Sequence, residues 1–292
     1  MRKQFVESIQ QLMSQDDRIV VLLGDIGIYA FRNVFSSYPD RIYNVGILEQ
    51  ATVSLAAGLA KEGLIPIFHS IAPFVVERAF EQIKIDFGYQ NMNGMFITVG
   101  SSYDYASLGC THHCPGDVTL MKSIPNMQVY TPGNKYELDI ILTQNISNDG
   151  PKYIRLSERS HKIETSIQIN KGLLIKNGSK GIIIVAGPML QQVVMATDEL
   201  DVTILYYAKV APLDTRALIE NCHNGKILVV EPFYVGTLSY DIQSAFPNRP
   251  IQVRSLGVPR IFLTSYGNAE FHDQECGLDV DGIRKAAIEL FQ

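Results

Sequence analysis

Short runs of apolar residues with almost no polar interruption decide what this chain can fold into. They are IVVLL (19–23), LIPIF (64–68), MFITV (95–99), GIIIVA (181–186) and KILVV (226–230). A strand with one face in water alternates apolar and polar residues. A strand covered on both faces does not, and that is the condition of a parallel sheet. Between these runs lie segments of helical length and period. In residues 3–15, for example, Phe5, Ile9 and Leu12 fall on one face. Strands alternating with helices imply βαβ units.

The rest of the pattern follows the same rule. Further strands are expected at 42–45, 127–130, 152–156, 202–207 and 251–256. Helices are expected from Glu49, over 73–87, 117–122 and after Gly133, then over 188–200, 213–222, 235–245 and 280–290. Pro73 stands near the first turn of the second of these, where proline is tolerated. The segment SERSHKIETSIQINKG (157–172) is polar and poor in large apolar side chains, so a linker is placed there. The fold expected is α/β: two doubly wound domains, each a mostly parallel sheet flanked by helices. Their spans are 1–160 and 173–292, with 161–172 as linker. A length of 292 residues is enough for two domains.

Composition excludes several classes. The net charge is −5 and no Lys/Arg run or basic stripe occurs, so nucleic acid is not an expected partner. The N-terminus, MRKQFVESIQQLMSQDD, is too polar for a signal peptide. No apolar run approaches the roughly 18 residues of a membrane span, so no membrane association and a cytoplasmic location are expected. Cys110, Cys114, Cys222 and Cys276 are too few for a disulfide framework in a chain of this length and read as free thiols.

One carboxylate stands out. In RIYNVGILEQATVSLAAGLA (41–60), Glu49 begins a helix of small and apolar residues with no cation in its local sequence. Desolvation disfavours a charged carboxylate. Glu49 is therefore either an ordinary acid at a helix start or a tuned catalytic acid.

The loop SSYDYASLGCTHHCPGD (101–117) holds Cys110, His112, His113 and Cys114 within five residues. Cysteine and histidine are zinc ligands, but zinc sites separate two ligand pairs by a longer stretch, and no second cluster exists in the chain. Metal is not the expectation. A loop past the carboxyl end of a parallel strand is where open α/β sheets take ligands, and a histidine there can donate to sugar or phosphate oxygens. A solvated loop is the plainer alternative. Arg78 is balanced between a surface salt bridge and a ligand clamp. Arg155 and Arg159, at the end of KYIRLSER, can present forked donors to a phosphate, although lone arginines at strand ends are more often structural. Asp25 ends a strand in LLGDIG. Ile26 stands where a Gly-Asp-Gly metal–diphosphate motif needs its second glycine, so no such site is read here. GIIIVAGPM lacks G-x-G-x-x-G spacing and carries no dinucleotide reading.

Taken together, IYNVGILEQATVSLAAGLAKEGLIPIF, FVVERAFEQIK, GCTHHCPGDVTLMKSIPNMQVYTPGN and PKYIRL resemble the pyrimidine-binding domain of transketolases. GIIIVAGPM, LYYAKVAPLD and KILVVEPFYVGTLS resemble their C-terminal domain. The resemblance implies a thiamine-diphosphate enzyme that moves a two-carbon ketol unit from a ketose phosphate to an aldose. Glu49 matches the family's glutamate on N1′ of the aminopyrimidine, which favours the imino tautomer that takes the C2 proton. Phe74 matches an aromatic stacked on the pyrimidine. Ile71 stands where a second aromatic is often found, and Asp25 where an aspartate lies beside the cofactor. His112 matches a substrate-contacting histidine. Arg159, and less closely Arg155, match the sugar-phosphate region, and Arg2 a further phosphate arginine. Leu108 replaces an aspartate that contacts a substrate hydroxyl.

The domain that carries the diphosphate and its Mg²⁺ (or Ca²⁺) does not match any part of this sequence. The resemblance therefore implies a partner subunit that supplies it, in an α2β2 heterotetramer, with the C-terminal domain serving dimerisation. The β subunit of a 2-oxo acid dehydrogenase and a deoxyxylulose-phosphate-synthase-like enzyme share the placement of the glutamate. A binding module that has lost catalysis, as Leu108 and Ile71 would allow, is the non-enzyme alternative.

Overall fold

The computed structural model describes residues 1–292 and forms two sheets. The first takes β1 (Ile19–Leu23), β2 (Ile42–Asn44), β3 (Ile65–Ile71), β4 (Gly94–Val99), β5 (Gln128–Tyr130) and β6 (Pro151–Arg155). The second takes β7 (Leu173–Lys176), β8 (Ile182–Ala186) and β9 (Thr203–Tyr207). After β10 (Lys209–Ala211) it continues with β11 (Lys226–Tyr234) and β12 (Gln252–Val258). Strand order is β10-β5-β6-β4-β3-β1-β2 in one sheet and β12-β11-β8-β9-β7 in the other. All pairings are parallel except β10 with β5 and β7 with β9. The result is two α/β domains with mostly parallel sheets.

The apolar runs explain the layers. Every residue of β1, β3, β4, β6, β8 and β9 is buried. Successive side chains point to opposite faces. Ile19, Val21 and Leu23 share a core with Phe5, Ile9 and Leu12 of the helix Arg2–Gln15 and with Leu138 and Ile141 of the helix Lys135–Asn145. Val20 and Leu22 face the other way, into a core with Val53, Ala56 and Ala57 of the helix Glu49–Lys61. Each fully buried Leu or Ile is worth about 1.5–3 kcal/mol.

The halves are interlocked. β10 comes from the second half, yet it pairs with β5 at the edge of the first sheet, Lys209 opposite Tyr130. Each apolar core also runs through both halves. The polar segment read as a linker is pinned at several points. Glu137 accepts hydrogen bonds from Thr165, Tyr206 and the Gly133 amide, and its Oε1 lies 3.2 Å from His161 Nε2. Burial pushes the Glu137 carboxyl up, and these bonds outweigh it and hold it below its ordinary range.

The helix expected over 73–87 is broken. The chain forms Ala72–Val76, a short turn Phe80–Gln82 and a π-helical stretch Ile83–Tyr89. The amides of Glu77 and Arg78 both donate to the Pro73 carbonyl, which widens the turn between the pieces. Wide turns of this kind often mark functional positions. The helix expected at 235–245 is shortened to Ser239–Ser244 because residues 235–238 form a turn, with Gly236 at φ 83°. β7, β10 and the helices Arg32–Ser37 and Ala269–Cys276 are not foreshadowed in the sequence pattern. Their sequences are short and mixed, and tertiary pairing decides them. No helix is long and apolar enough to cross a membrane.

Candidate active site

The first sheet changes direction at β1. The chain passes from β1 to β2 on one side and then to β3 on the other. Open α/β sheets bind ligands at the carboxyl ends of strands at such a point. There, Asp25 follows β1, Asn44 ends β2 and Ile71 ends β3. Asp25 holds a left-handed φ of 58°. Its amide donates to Asn44 Oδ1 at 3.0 Å, and Asn44 Nδ2 donates back to its carboxylate at 3.1 Å. Gly46, at φ 83°, makes the turn that a side chain would strain, and the helix Glu49–Lys61 begins three residues on.

Glu49 occupies the first turn of that helix, where a carboxylate is favoured by the helix dipole. It is only 1% exposed. Its Oε2 accepts a hydrogen bond from Arg78 Nη1 at 2.7 Å. Its Oε1 is buried and has no partner. The local sequence shows no cation for Glu49; the structure supplies one from 29 residues away, where the segment after Phe74 turns Arg78 onto it. Leaving a buried acceptor unpaired costs about 1–3 kcal/mol.

Aromatic contacts extend from this pair. The Arg78 guanidinium lies 4.4 Å from the Phe74 ring centroid. Phe74 meets the His112 ring edge-on at 5.4 Å. His112 Nδ1 lies 3.0 Å from Thr111 Oγ1, and the ring meets Tyr105 at 6.2 Å. Arg2 hydrogen-bonds the Tyr105 hydroxyl and pairs with Glu158 at 3.3 Å. A cavity of about 330 Å³ beside it is lined by Arg2, Lys3, Gly100 and Glu158, at the carboxyl ends of β4 and β6. Glu49, Arg78, Phe74, His112 and Arg2 therefore fall on one connected path. Tyr105 joins it unforeseen by sequence reasoning; an aromatic in a loop just past a parallel strand was the available signal. Ile71 is buried, and it and the Tyr105 ring both press close to Gly100.

Two arginines are elsewhere. The sequence expectation puts Arg155 on a phosphate, but its side chain is 1% exposed. Its Nε donates to Asp117 Oδ2 at 2.6 Å, and Nη2 donates to Ser102 Oγ at 2.6 Å and to the Pro232 carbonyl at 3.0 Å. Its charge is satisfied inside the protein, the structural alternative for an arginine at a strand end. Arg159 donates to the carboxylate of Asp273 and to Met189 Sδ. Its side chain, 19% exposed, is thus paired with a carboxylate of the second half. The two loop histidines diverge. His112 faces Phe74, whereas His113 packs against His272 of the second half at 5.5 Å, with burial pushing its ionisation down. Cys114 is buried against Glu77 at 3.6 Å, and burial pushes its thiol well above the ordinary range; Cys110 is exposed.

A buried carboxylate oxygen without a partner, an adjacent aromatic ring and a histidine are what a flat, nitrogen-bearing heterocycle requires. The residues present fit the aminopyrimidine of thiamine diphosphate.

Comparisons with known proteins place the chain in a family. Residues 1–162 match the family model described as transketolase, pyrimidine binding domain. A 33.6 kDa protein in the fasciation locus of Rhodococcoides fascians is 36% identical over 94% of this chain and 89% of its own length. One of the subunits of the apulose-4-phosphate transketolase of Actinobacillus succinogenes is 29% identical over 87% of this chain and 86% of its own length. A solved structure described as a split gene transketolase, inactive beta4 tetramer, superposes with a TM-score of 0.88 at 26% identity, covering 99% of this chain and 97% of that one. The family model covers more than half of the sequence, and the chain belongs to the transketolase family.

Proposed function

We propose that this chain is the pyrimidine-binding subunit of a split, thiamine-diphosphate-dependent transketolase. It transfers a two-carbon ketol unit from a ketose donor to an aldose acceptor. The observation that carries the reading is the unpartnered, buried Oε1 of Glu49 at the switch point of the first sheet, linked through Arg78 to Phe74 and from there to His112.

Bound there, thiamine diphosphate supplies the electron sink that lets a carbon–carbon bond next to a carbonyl break and re-form. Glu49 Oε1 is the atom that shares a proton with the pyrimidine ring nitrogen. Phe74 would stack on the ring, and Ile71 would offer it an aliphatic surface in place of a second aromatic. Asp25, held rigidly by Asn44, borders the same crevice. His112 donates to sugar oxygens through a ring nitrogen. Arg2, with Tyr105, meets the far end of the sugar. The diphosphate and its Mg²⁺ are held by a separate diphosphate-binding subunit in an α2β2 assembly. Tyr29, Tyr43, Ile47, Leu48 and Leu55, spread from the loop after β1 to the Glu49 helix, are exposed and offer that partner an apolar surface. The names of the relatives, one a transketolase subunit and the other a split-gene transketolase, support this division of labour.

Reconstitution tests the reading. The chain, a diphosphate-binding partner, thiamine diphosphate and Mg²⁺ together should transfer ketol units, and Glu49→Ala should abolish transfer. Full activity of the Glu49→Ala complex would sink it. A donor screen of ketoses against pyruvate separates ketol transfer from synthase or 2-oxo acid chemistry.

A further inference from the structure

Arg78 reads from sequence as a candidate substrate clamp. Its geometry assigns it another task. The guanidinium binds one oxygen of Glu49 at 2.7 Å and leaves the other buried and free. The same guanidinium lies 4.4 Å from the centre of the Phe74 ring. A carboxylate with two free oxygens can rotate between them. One oxygen fixed by a charge-assisted bond cannot, and the second then points in a single direction.

We propose that Arg78 is the positioning residue of the site: it locks the Glu49 carboxyl so that Oε1 alone faces the pyrimidine, and it sets the Phe74 ring beside that oxygen. The assignment rests on the proposed cofactor reading and deepens it. The structure supports it from a further direction. The break at 77–79 in an otherwise helical segment brings Arg78 back towards Glu49, 29 residues earlier in the chain. The Arg78 side chain is 39% exposed, so its replacement opens no hole in the apolar core.

The test compares reconstituted complexes of the wild-type chain, Arg78→Lys and Arg78→Met, loaded with thiamine diphosphate and Mg²⁺. Cofactor affinity is measured by calorimetry, the pyrimidine tautomer by its near-ultraviolet circular dichroism band, and kcat and KM separately for the ketose. In Arg78→Met, kcat should fall about a hundredfold, the loss expected from misplacing a reacting group by about 1 Å. The tautomer band should go with it, while KM for the sugar stays unchanged. Arg78→Lys, which keeps a cation within reach of Oε2, should recover most of both. A crystal structure of the Arg78→Met complex without cofactor should show the Glu49 carboxyl rotated. A methionine variant that keeps its band, its kcat and the Glu49 geometry overturns the proposal. A loss confined to KM for the sugar also overturns it and returns Arg78 to the substrate. A wild-type complex that binds no cofactor fails at an earlier step and overturns the proposed function together with this assignment.

Discussion

Arg155, the last residue of β6, and Asp117, the first residue of the helix Asp117–Lys122, form an ion pair at 2.6 Å with both side chains buried. The same guanidinium reaches Ser102 Oγ and the Pro232 carbonyl, so one buried charge ties the first sheet to β11 of the second. Tyr153 also donates to Asp117 Oδ2, at 2.8 Å. Removing one partner strands the other charge in a dry interior. Arg155→Met and Asp117→Leu should each cost about 3–5 kcal/mol, and the double variant should recover much of it. Urea unfolding of the three proteins measures this. Additive losses in the double variant would show that the two residues do not form a coupled pair.

Glu49 should carry a stability cost that function requires. Its Oε1 is buried without a partner, and a group left that way costs about 1–3 kcal/mol. Arg78, partly exposed, can return to water when the carboxylate is gone. Glu49→Leu should therefore melt at or above the wild-type temperature while being inactive in the reconstituted complex. A clear fall in melting temperature would mean that the ion pair outweighs the orphaned oxygen.

Glu231 sets a pH dependence. It is fully buried in β11 and accepts hydrogen bonds from the amides of Gly236 and Leu238. Burial pushes its carboxyl up from 4.5 to about 8, despite those bonds. The folded state thus holds a proton that the unfolded state releases between these values. Its contribution to stability is fully present below pH 4.5 and is lost as pH rises towards 8. At its steepest the loss is about 1.4 kcal/mol per pH unit. Glu231→Gln removes this proton exchange. Unfolding free energies measured from about pH 5 to about pH 8 should decline in the wild type and flatten in the variant; parallel curves would exclude Glu231 as the source.

Two glycines should separate backbone strain from crowding. Gly46, before the Glu49 helix, has φ 83° and nothing within 4 Å of where a Cβ would stand. Gly109, three residues before His112, has φ 71°, and a Cβ there would lie 2.7 Å from the Tyr266 ring. Gly46→Ala should cost only the left-handed penalty of about 1–2 kcal/mol. Gly109→Ala should cost more and should also lower activity, because the strain falls on the loop that carries His112. Equal destabilisation of the two variants, with activity retained in Gly109→Ala, would refute the crowding argument.

Much of the architecture is legible in the chain because it is local. Apolar runs such as IVVLL and MFITV report burial on both faces. The small residues after Glu49 report a helix, and Gly46 reports a turn. The segment 73–87 reads as one helix because its apolar period is helical throughout. Its break depends on carbonyl sharing at Pro73, which composition does not encode. β7 and β10 leave no trace in the pattern because they are the antiparallel edge strands, formed only against β9 and β5.

The sequence by itself determined two α/β halves, an acid at a helix start, an aromatic after β3 and a histidine in the loop after β4. Only the tertiary structure decided which charges are available. Arg78 finds Glu49 across 29 residues, Arg155 finds Asp117 across 38, and Arg159 finds Asp273 across 114. The physical reason is range. Burial and backbone preference are read from neighbours a few residues apart, whereas an ion pair forms wherever the fold brings two opposite charges together out of water. Nothing near an arginine in sequence says whether its partner is a ligand or a carboxylate of the same chain.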